Sequence, residues 1–497
     1  MTPHVLILDA ITSQKNLWEG LRKAQELGQA RWIPRRQITM KHKINSIAVV
    51  VGSGHAGSYA GCKKVLMIDK CPEDWFGGNG YFTAGAHRTV HAGLDDLLPL
   101  LEMPPSASEV ERIDVAAYTA EDFAHDIQRL ASGRADEQLV KALVQSSRET
   151  IKWLRERVGV NFTLSYNRQA YEVNGRIEFW GGMALSVKEG GKGLMESHAR
   201  TLKEAGAEIW FEAKATGLIV NNGEVGGIVL ERRGKNVRIK ARSGFEASRE
   251  MRTKYLGKEW VNARVRGTPY NTGDGFTLAQ SVGAKMGGDW AGCHSTAWDA
   301  NTRGLPELYL CKIWQGNFAA ARGYAFQIWD AKVLDHLRKE EYDDGVVKKA
   351  WAQSIEELAD KLAGAEWGLT DKRQLVETIQ VFNDAVKSSP RPEWNPAIKD
   401  GRSTQSHEAK LTIPKSNWAL TIEEAPFMAV KVACGITFTF GGLAIDPQTA
   451  GAIPGLFCTG EMVGGLFYGN YPGGSGLTAG AVFGRKAGKG AGERMGQ

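Results

Sequence analysis

Two glycine-rich turns carry the residue types and spacing best suited to chemistry. The first, Gly52-Ser53-Gly54-His55-Ala56-Gly57, follows the apolar run Ile47-Ala48-Val49-Val50-Val51 and precedes a second apolar run, Val65-Leu66-Met67-Ile68, which ends on Asp69. Glycines there let the backbone turn tightly and approach a pyrophosphate, whose charge meets the N–H groups of the following helix. An acid at the tip of the second strand accepts from a ribose hydroxyl. Strand, turn, helix and acid-tipped strand together read as a dinucleotide site. The second turn, Gly473-Gly474-Ser475-Gly476-Leu477-Thr478, opens a helix running to about Gly488. A helix N-terminus cushioned by glycine is a second site for an anion or a carbonyl oxygen.

Other stretches lie between these turns. Cys71–Arg88 holds Gly77-Gly78-Asn79-Gly80 and Thr83-Ala84-Gly85-Ala86, a glycine density that suits backbone lying against a flat ligand. Asn271-Thr272-Gly273-Asp274-Gly275 reads as a tight turn opening a helix through Ala284. Trp290 and His294 follow in what reads as a glycine-bounded loop, where a single histidine is ordinarily solvated.

The elements that must position these residues follow from periodicity. Residues 109–158 read as helices, with Asp136 capping a segment that turns Leu139, Leu143, Val144, Ile151 and Leu154 to one face. Phe162–Trp180 suggests strands and Gly190–Ala205 a glycine-started helix. Ala207–Trp210, Gly217–Val220 and Glu224–Glu231 read as a β-meander turning at Asn221-Asn222-Gly223. Residues 329–388 read as mostly helical, with a capping box at Ser354-Ile355-Glu356-Glu357 and a cap at Thr370 before Leu375, Ile379, Phe382 and Val386. Val5-Leu6-Ile7-Leu8 could be a strand and Leu17–Leu27 a short helix in an N-terminal extension of residues 1–43.

Bulk properties bound the class. At 497 residues the chain is long enough for two or more domains, and 42% hydrophobic with 24% charged residues is ordinary for a soluble globular protein. The net charge of +6 is mildly basic without a Lys/Arg run interleaved with aromatics, so nucleic acid is not expected and an anionic substrate is. Six cysteines, without CxxC pairing, suggest neither a zinc site nor a disulfide framework; no metal is expected, and a reducing, cytoplasmic location is. No run of 18 apolar residues predicts a membrane span.

Taken in order, six stretches resemble the fumarate reductase/succinate dehydrogenase class of FAD-dependent oxidoreductases, and within it the tricarballylate dehydrogenases. They are GSGHAG at 52–57, IDKCPEDWFGGNGYFTAGAHRT at 68–89, NTGDG at 271–275, GDWAGCH at 288–294, GITFTFGGLAID at 435–446 and GLFCTGEMVGGLFYGNYPGGSGLTAGAVFGRKAG at 455–488. The resemblance implies an α/β fold. A Rossmann-like FAD-binding domain, a parallel sheet plus β-meander, would be built from residues 44–288 and 438–490, with an α+β capping domain inserted at 289–437. It implies that Gly52, Ser53, Gly54 and Gly57 hold the pyrophosphate and that Asp69, with Lys70 beside it, meets the adenosine ribose. Gly78, Asn79, Thr83 and Gly85 would lie along the flavin, Asp274 would belong to the cofactor site, and Glu461 would bind the ribityl chain. Ser475, Gly476 and Leu477 would present the helix start to the pyrimidine carbonyl, where reduced flavin gathers negative charge. Asn79 stands where succinate dehydrogenases carry a flavin-linking histidine, which implies non-covalent FAD.

For the substrate, the resemblance implies His294, Thr439 and Tyr471 as the catalytic set, with Thr437 replacing a histidine and Tyr471 an arginine of the dicarboxylate reductases. The implied chemistry is hydride transfer from a carbon β to a carboxylate onto flavin, while a base removes the neighbouring proton. The substrate would be a small polycarboxylate and the electron acceptor is unspecified. A 3-ketosteroid dehydrogenase-type enzyme, or a catalytically impaired relative, is the alternative.

Three departures from the family pattern stand out. Asp69 comes only twelve residues after Gly57, where such an acid usually lies ~20 beyond the glycines. Lys240–Phe245 lacks the expected strand, and no Gly-x-Arg-Phe strand with its following proton-shuttling arginine occurs between Leu310 and Gln327, where Arg322 is nearby without matching. These read as segments lost from the coding sequence, and they imply weaker FAD retention than in a full-length relative.

Overall fold

The computed structural model describes residues 4–7, 42–45, 48–55, 65–232, 235–237, 244–300, 324–337, 339–390, 400–405, 411 and 414–495. Gly57, the helix expected at 17–27, the connection at 56–64, the segment at 238–243, Arg322 and the stretch at 301–323 lie outside them. The Val5–Leu8 run forms a strand, His4–Ile7, paired antiparallel with His42–Asn45.

The first apolar runs form β1 (Ala48–Val51) and β2 (Val65–Ile68). The helix α1 (Glu137–Trp153) starts where Asp136 accepts from the N–H groups of Gln138 and Leu139, both at 2.9 Å. That cap satisfies orphan amides at the helix start, and Leu139, Leu143, Val144 and Ile151 are buried along one face. The helix α2 (Gly190–Glu204) follows, then β3 (Glu208–Trp210). β3, β2 and β1 form a parallel sheet in that order. Residues 208–210 therefore join the parallel sheet rather than a meander, because Leu66–Ile68 of β2 offers a free edge of buried apolar residues.

The meander is made instead by β4 (Ala213–Asn221), β5 (Glu224–Arg232) and Lys235–Val237. Its first turn places Asn222 at φ 51° and Gly223 at φ 79°, the doubly left-handed geometry that matches strand twist.

The largest sheet is built on two long strands, β6 (Met286–Asp299) and β8 (Phe427–Leu443), with β7 (Tyr324–Trp329) chained between them in sequence. β8 pairs antiparallel with β6 over its C-terminal half and with β7 and Lys349–Ala352 over its N-terminal half. Trp290 and His294 thus lie on a strand, not in a loop. Their glycines face glycines across the pair, Gly287 opposite Gly442 and Gly288 opposite Gly441, and a bulge between Asp289 and Cys293 absorbs the irregularity. The expected boundaries at 288/289 and 437/438 both fall inside this ribbon, so the two parts share continuous strands.

Beyond β7, Ser354 accepts from Glu357 N at 3.1 Å, while Glu357 returns its carboxylate to Gln353 N at 2.7 Å, one residue short of a capping box. The next helix, Lys372–Lys387, is capped by Asp371 rather than Thr370. The chain closes with α3 (Ser475–Arg494), which packs against α1 and ties to it through Arg485 Nη1, 3.0 Å from Thr150 Oγ1. Among the described residues no helix is long and apolar enough to cross a membrane, and Cys71, Cys293, Cys434 and Cys458 are buried free thiols.

Candidate cofactor and substrate site

A cavity of about 930 Å³ runs from the β1 turn, past the Gly78–Phe82 turn and the β5 hairpin, to the start of α3 and the β6–β8 ribbon. That volume lies near the top of the ~300–1,000 Å³ range of small-molecule sites. At one end Gly52 and Gly54 line it, and Gly52 holds φ 115°, a conformation that a side chain would strain. Gly52 N is spent on Ile68 O at 2.9 Å, which ties the turn to β2.

Asp69 sits beneath this turn and away from the cavity wall. Its side chain is fully buried, one oxygen accepting from Ser53 N (3.0 Å) and Ser53 Oγ (2.6 Å), the other from Cys71 N (3.1 Å). The carboxylate thus braces the turn against the end of β2. Ser53 is buried with it. Lys70 forms an ion pair with Asp274 and bonds Thr272, so these two expected cofactor residues lock the NTGDG turn to the end of β2 and do not line the cavity.

The middle of the cavity holds a polar cluster. Asn79 and Asn271 each donate Nδ2 to Glu246 Oε1 at 2.6 Å and to Glu461 Oε2 at 3.4 Å. Asn79 Oδ1 accepts from Thr268 N at 3.0 Å. Glu461 Oε1 accepts from Thr439 N (2.8 Å) and Thr439 Oγ1 (3.0 Å). Thr439, expected to touch substrate, lines the cavity with its hydroxyl bonded to Glu461. Burial pushes the Glu461 carboxyl well above its ordinary range, with the neighbouring Glu246 charge adding to it.

Thr83 lines the cavity and bonds back to Gly80 O at 2.9 Å. Gly78 and Gly85 support this turn from behind, with φ 52° and 65°. At the start of α3, Ser475 is buried and donates N–H to Pro472 O at 3.1 Å, so its amide closes the turn. Gly476 and Leu477 line the cavity. Their first-turn amides have no carbonyl within the helix, and the macrodipole makes this end attractive to negative charge. Leu477 O accepts from His55 Nε2 at 3.0 Å, and His55 Nδ1 lies 2.9 Å from His198 Nε2. A carbonyl can only accept, so His55 carries its proton on Nε2 and His198 donates to Nδ1. Burial holds His55 well below the usual histidine range, and the approach of His198 and His87 lowers it further.

The far end is cationic and aromatic. His294 Nδ1 lies 2.5 Å from Thr437 Oγ1, whose hydroxyl donates to His294 O at 3.2 Å. The Thr437 oxygen thus accepts from Nδ1–H, which fixes that tautomer of the neutral ring. The His294 ring meets Tyr471 edge-on at 4.9 Å, and Tyr471 packs on Phe438 at 4.8 Å. Arg168 and Arg266 line the same end. Arg266 donates to Phe82 O at 3.1 Å, and burial followed by the charge of Arg168 lowers it to about 10, still a cation at neutral pH. Arg168 pairs with Glu341 at 3.7 Å, both side chains 11% exposed. Burial raises the Tyr471 phenol above its ordinary value, and the charges of Arg266, Arg168 and Arg88 oppose that rise.

Sequence reasoning missed Arg168, Arg266 and the His55–His198 pair. Arg266 stands five residues before Asn271, and only that proximity to a recognised turn could have pointed to it.

The cavity fits FAD on its own features: a glycine turn at Gly52 and Gly54, a polar middle at Asn79, Asn271 and Glu461 for hydroxyls, and the helix start at Gly476 and Leu477 for a carbonyl that gathers negative charge. The family model described as FAD binding domain matches residues 114–477 of this chain. An NADH:acrylate oxidoreductase of Vibrio harveyi is 24% identical over 98% of this chain, which spans about half (54%) of that protein's length. A probable fumarate reductase of Shewanella frigidimarina is 26% identical over 88% of this chain and 74% of its own. The open conformation of a flavocytochrome c3 fumarate reductase shares the fold at a TM-score of 0.64, with 21% identity, 99% of this chain and 86% of that one. Glycine turn, cavity and matched model agree: the chain belongs to the FAD-binding-domain family.

Proposed function

We propose that this protein acts on a CH–CH bond beside a carboxylate in a small polycarboxylate of the tricarballylate kind, with FAD bound non-covalently. The observation that carries this reading is the convergence of Arg168 and Arg266 with His294, Thr437 and Tyr471 at one end of the cavity. Among the described residues Glu341 is the acid whose charge acts on both guanidiniums, and a planar fork pairs with carboxylate oxygens. Arg266 and Arg168 bind and orient the acid. Tyr471 and Phe438 wall the site against water. His294, held by Thr437, takes up or returns a proton at Nε2. Bound FAD supplies the hydride-accepting ring. Asn79 supports non-covalent binding, since its amide is committed to Glu246, Glu461 and Thr268 and offers no nucleophile.

The electron acceptor belongs to the same proposal and is left as an external partner. A second reading, a ketosteroid-type substrate, draws on the aromatic wall of Phe438, Phe440, Phe467 and Tyr471. Dye-linked turnover separates the two. Tricarballylate is expected to be oxidised and a 3-ketosteroid ignored, with Arg266→Gln raising KM for the acid. Oxidation of the steroid alone would overturn the carboxylate reading.

A further inference from the structure

The mechanism above leaves the buried acid Glu246 unused. Glu246 is fully buried, does not line the cavity, and packs against the carboxyl of Glu461, which does. Gly244 makes room for that contact, since a Cβ there would stand 2.2 Å from Glu461 Cδ. The hydrogen-bond inventory is uneven. Glu246 Oε1 accepts from both asparagine amides, and Glu461 Oε1 from Thr439 twice, yet Glu246 Oε2 is buried without a donor. Two carboxylates cannot supply one, because each ionised oxygen only accepts. One carboxylic O–H between them supplies the missing donor and removes one of two like charges from a dry site.

We propose that Glu246 and Glu461 share a single proton, and that Glu246 is a positioning residue whose carboxyl holds Glu461 toward the FAD cavity in a state of one negative charge rather than two. This rests on FAD occupying that cavity. The surrounding groups favour one proton and not two. Arg252, whose guanidinium bonds Ala263 O and Val261 O, feels the Glu246 charge from a neighbouring turn and supports one anion. Cys293 on β6 also faces Glu246, and burial holds its thiol protonated, so it adds no charge. Asn79, Asn271 and Thr439 are neutral donors. Burial raises both carboxyls of the pair. FAD brings a pyrophosphate, so a doubly ionised pair disfavours its binding, and affinity is expected to fall as pH removes the shared proton.

Infrared spectroscopy of the FAD-free protein at neutral pH is the direct test. A carbonyl band of a protonated carboxylic acid is expected, lost in Glu246→Gln, where the amide donates to an ionised Glu461. Absence of that band in the wild-type protein, or its persistence in Glu246→Gln, would overturn the proposal without bearing on the cofactor itself. Fluorescence titration gives the second readout. Above the pH at which the shared proton leaves, the wild-type Kd for FAD is expected to rise by up to tenfold per pH unit, while Glu246→Gln stays flat. Equal slopes in both proteins, or a flat wild-type profile, would refute the link. Failure of FAD to bind at any pH would refute the family-level site instead.

Discussion

Gly191, the second residue of α2, offers the sharpest test of how the cavity is built. Its N–H donates to Thr83 O at 2.9 Å, and a Cβ added there would lie 2.2 Å from Gly80 O, 2.5 Å from Tyr81 O and 2.8 Å from Thr83 N. All three are backbone atoms of the turn that lines the cavity, so none can swing aside as a flexible side chain would. Gly191 carries no positive φ, so alanine suits its backbone and would gain about 1 kcal/mol of helix propensity. Overpacking against fixed backbone costs roughly 1–3 kcal/mol and occasionally more, so the clash wins. The FAD-free protein can relax by letting residues 78–83 drift, but cofactor binding must restore them. The cost therefore appears in affinity, raising Kd for FAD by roughly 5- to 150-fold. Gly345 is the control, with no atom within 4 Å of an added Cβ and no positive φ. Titration of each FAD-free protein with FAD, followed by flavin fluorescence, gives both constants. Gly191→Ala binding as tightly as Gly345→Ala and wild type would refute the placement of the flavin-side turn.

Other expectations follow from the same geometry. Asp69→Ala strands Ser53 N and Cys71 N in a buried site, so denaturant unfolding of FAD-free protein should show about 2–4 kcal/mol lost; a ribose contact alone would leave that stability unchanged. Arg266→Gln removes charge-assisted bonds to a carboxylate, and steady-state kinetics should show KM raised about 10- to 150-fold with flavin content retained; an unchanged KM would exclude Arg266 from the substrate site. Burial lowers His87 to about 4 and His198 to about 3. Their unfolded values near 6.5 make the unfolded chain bind more protons as pH falls below that value. Stability is then fully present above about pH 6.5 and declines by about 1.4 kcal/mol per pH unit for each ring on the way down to those folded values. Thermal unfolding from pH 7 to 5 should show it, with a shallower decline in His198→Asn; equal slopes would remove His198 from the account.

What the sequence made legible was written in glycine. The turn at Gly52, the Gly78–Phe82 stretch and the start of α3 are places where backbone must bend or approach closely, and only a few residue types permit that. Asp136 announced α1 because a cap is a local contact. The substrate end was illegible for the opposite reason. Arg168 sits on a four-residue helix within a segment that reads as strand, and it meets Arg266 only through the tertiary fold. His294 reads as a loop residue because glycines at 287, 288 and 292 break strand periodicity, whereas the partner strand supplies matching glycines from more than a hundred residues away. Asp69 carried the right residue type to the right strand tip, where its carboxylate accepts from the amides of Ser53 and Cys71.

One spectrum tests the polycarboxylate reading most directly. FAD-loaded protein, mixed anaerobically with tricarballylate, should lose its yellow flavin absorbance, and the Arg266→Gln protein should keep its flavin yet resist bleaching at the same acid concentration. A protein that binds FAD and is bleached by a 3-ketosteroid but by no polycarboxylate would contradict it.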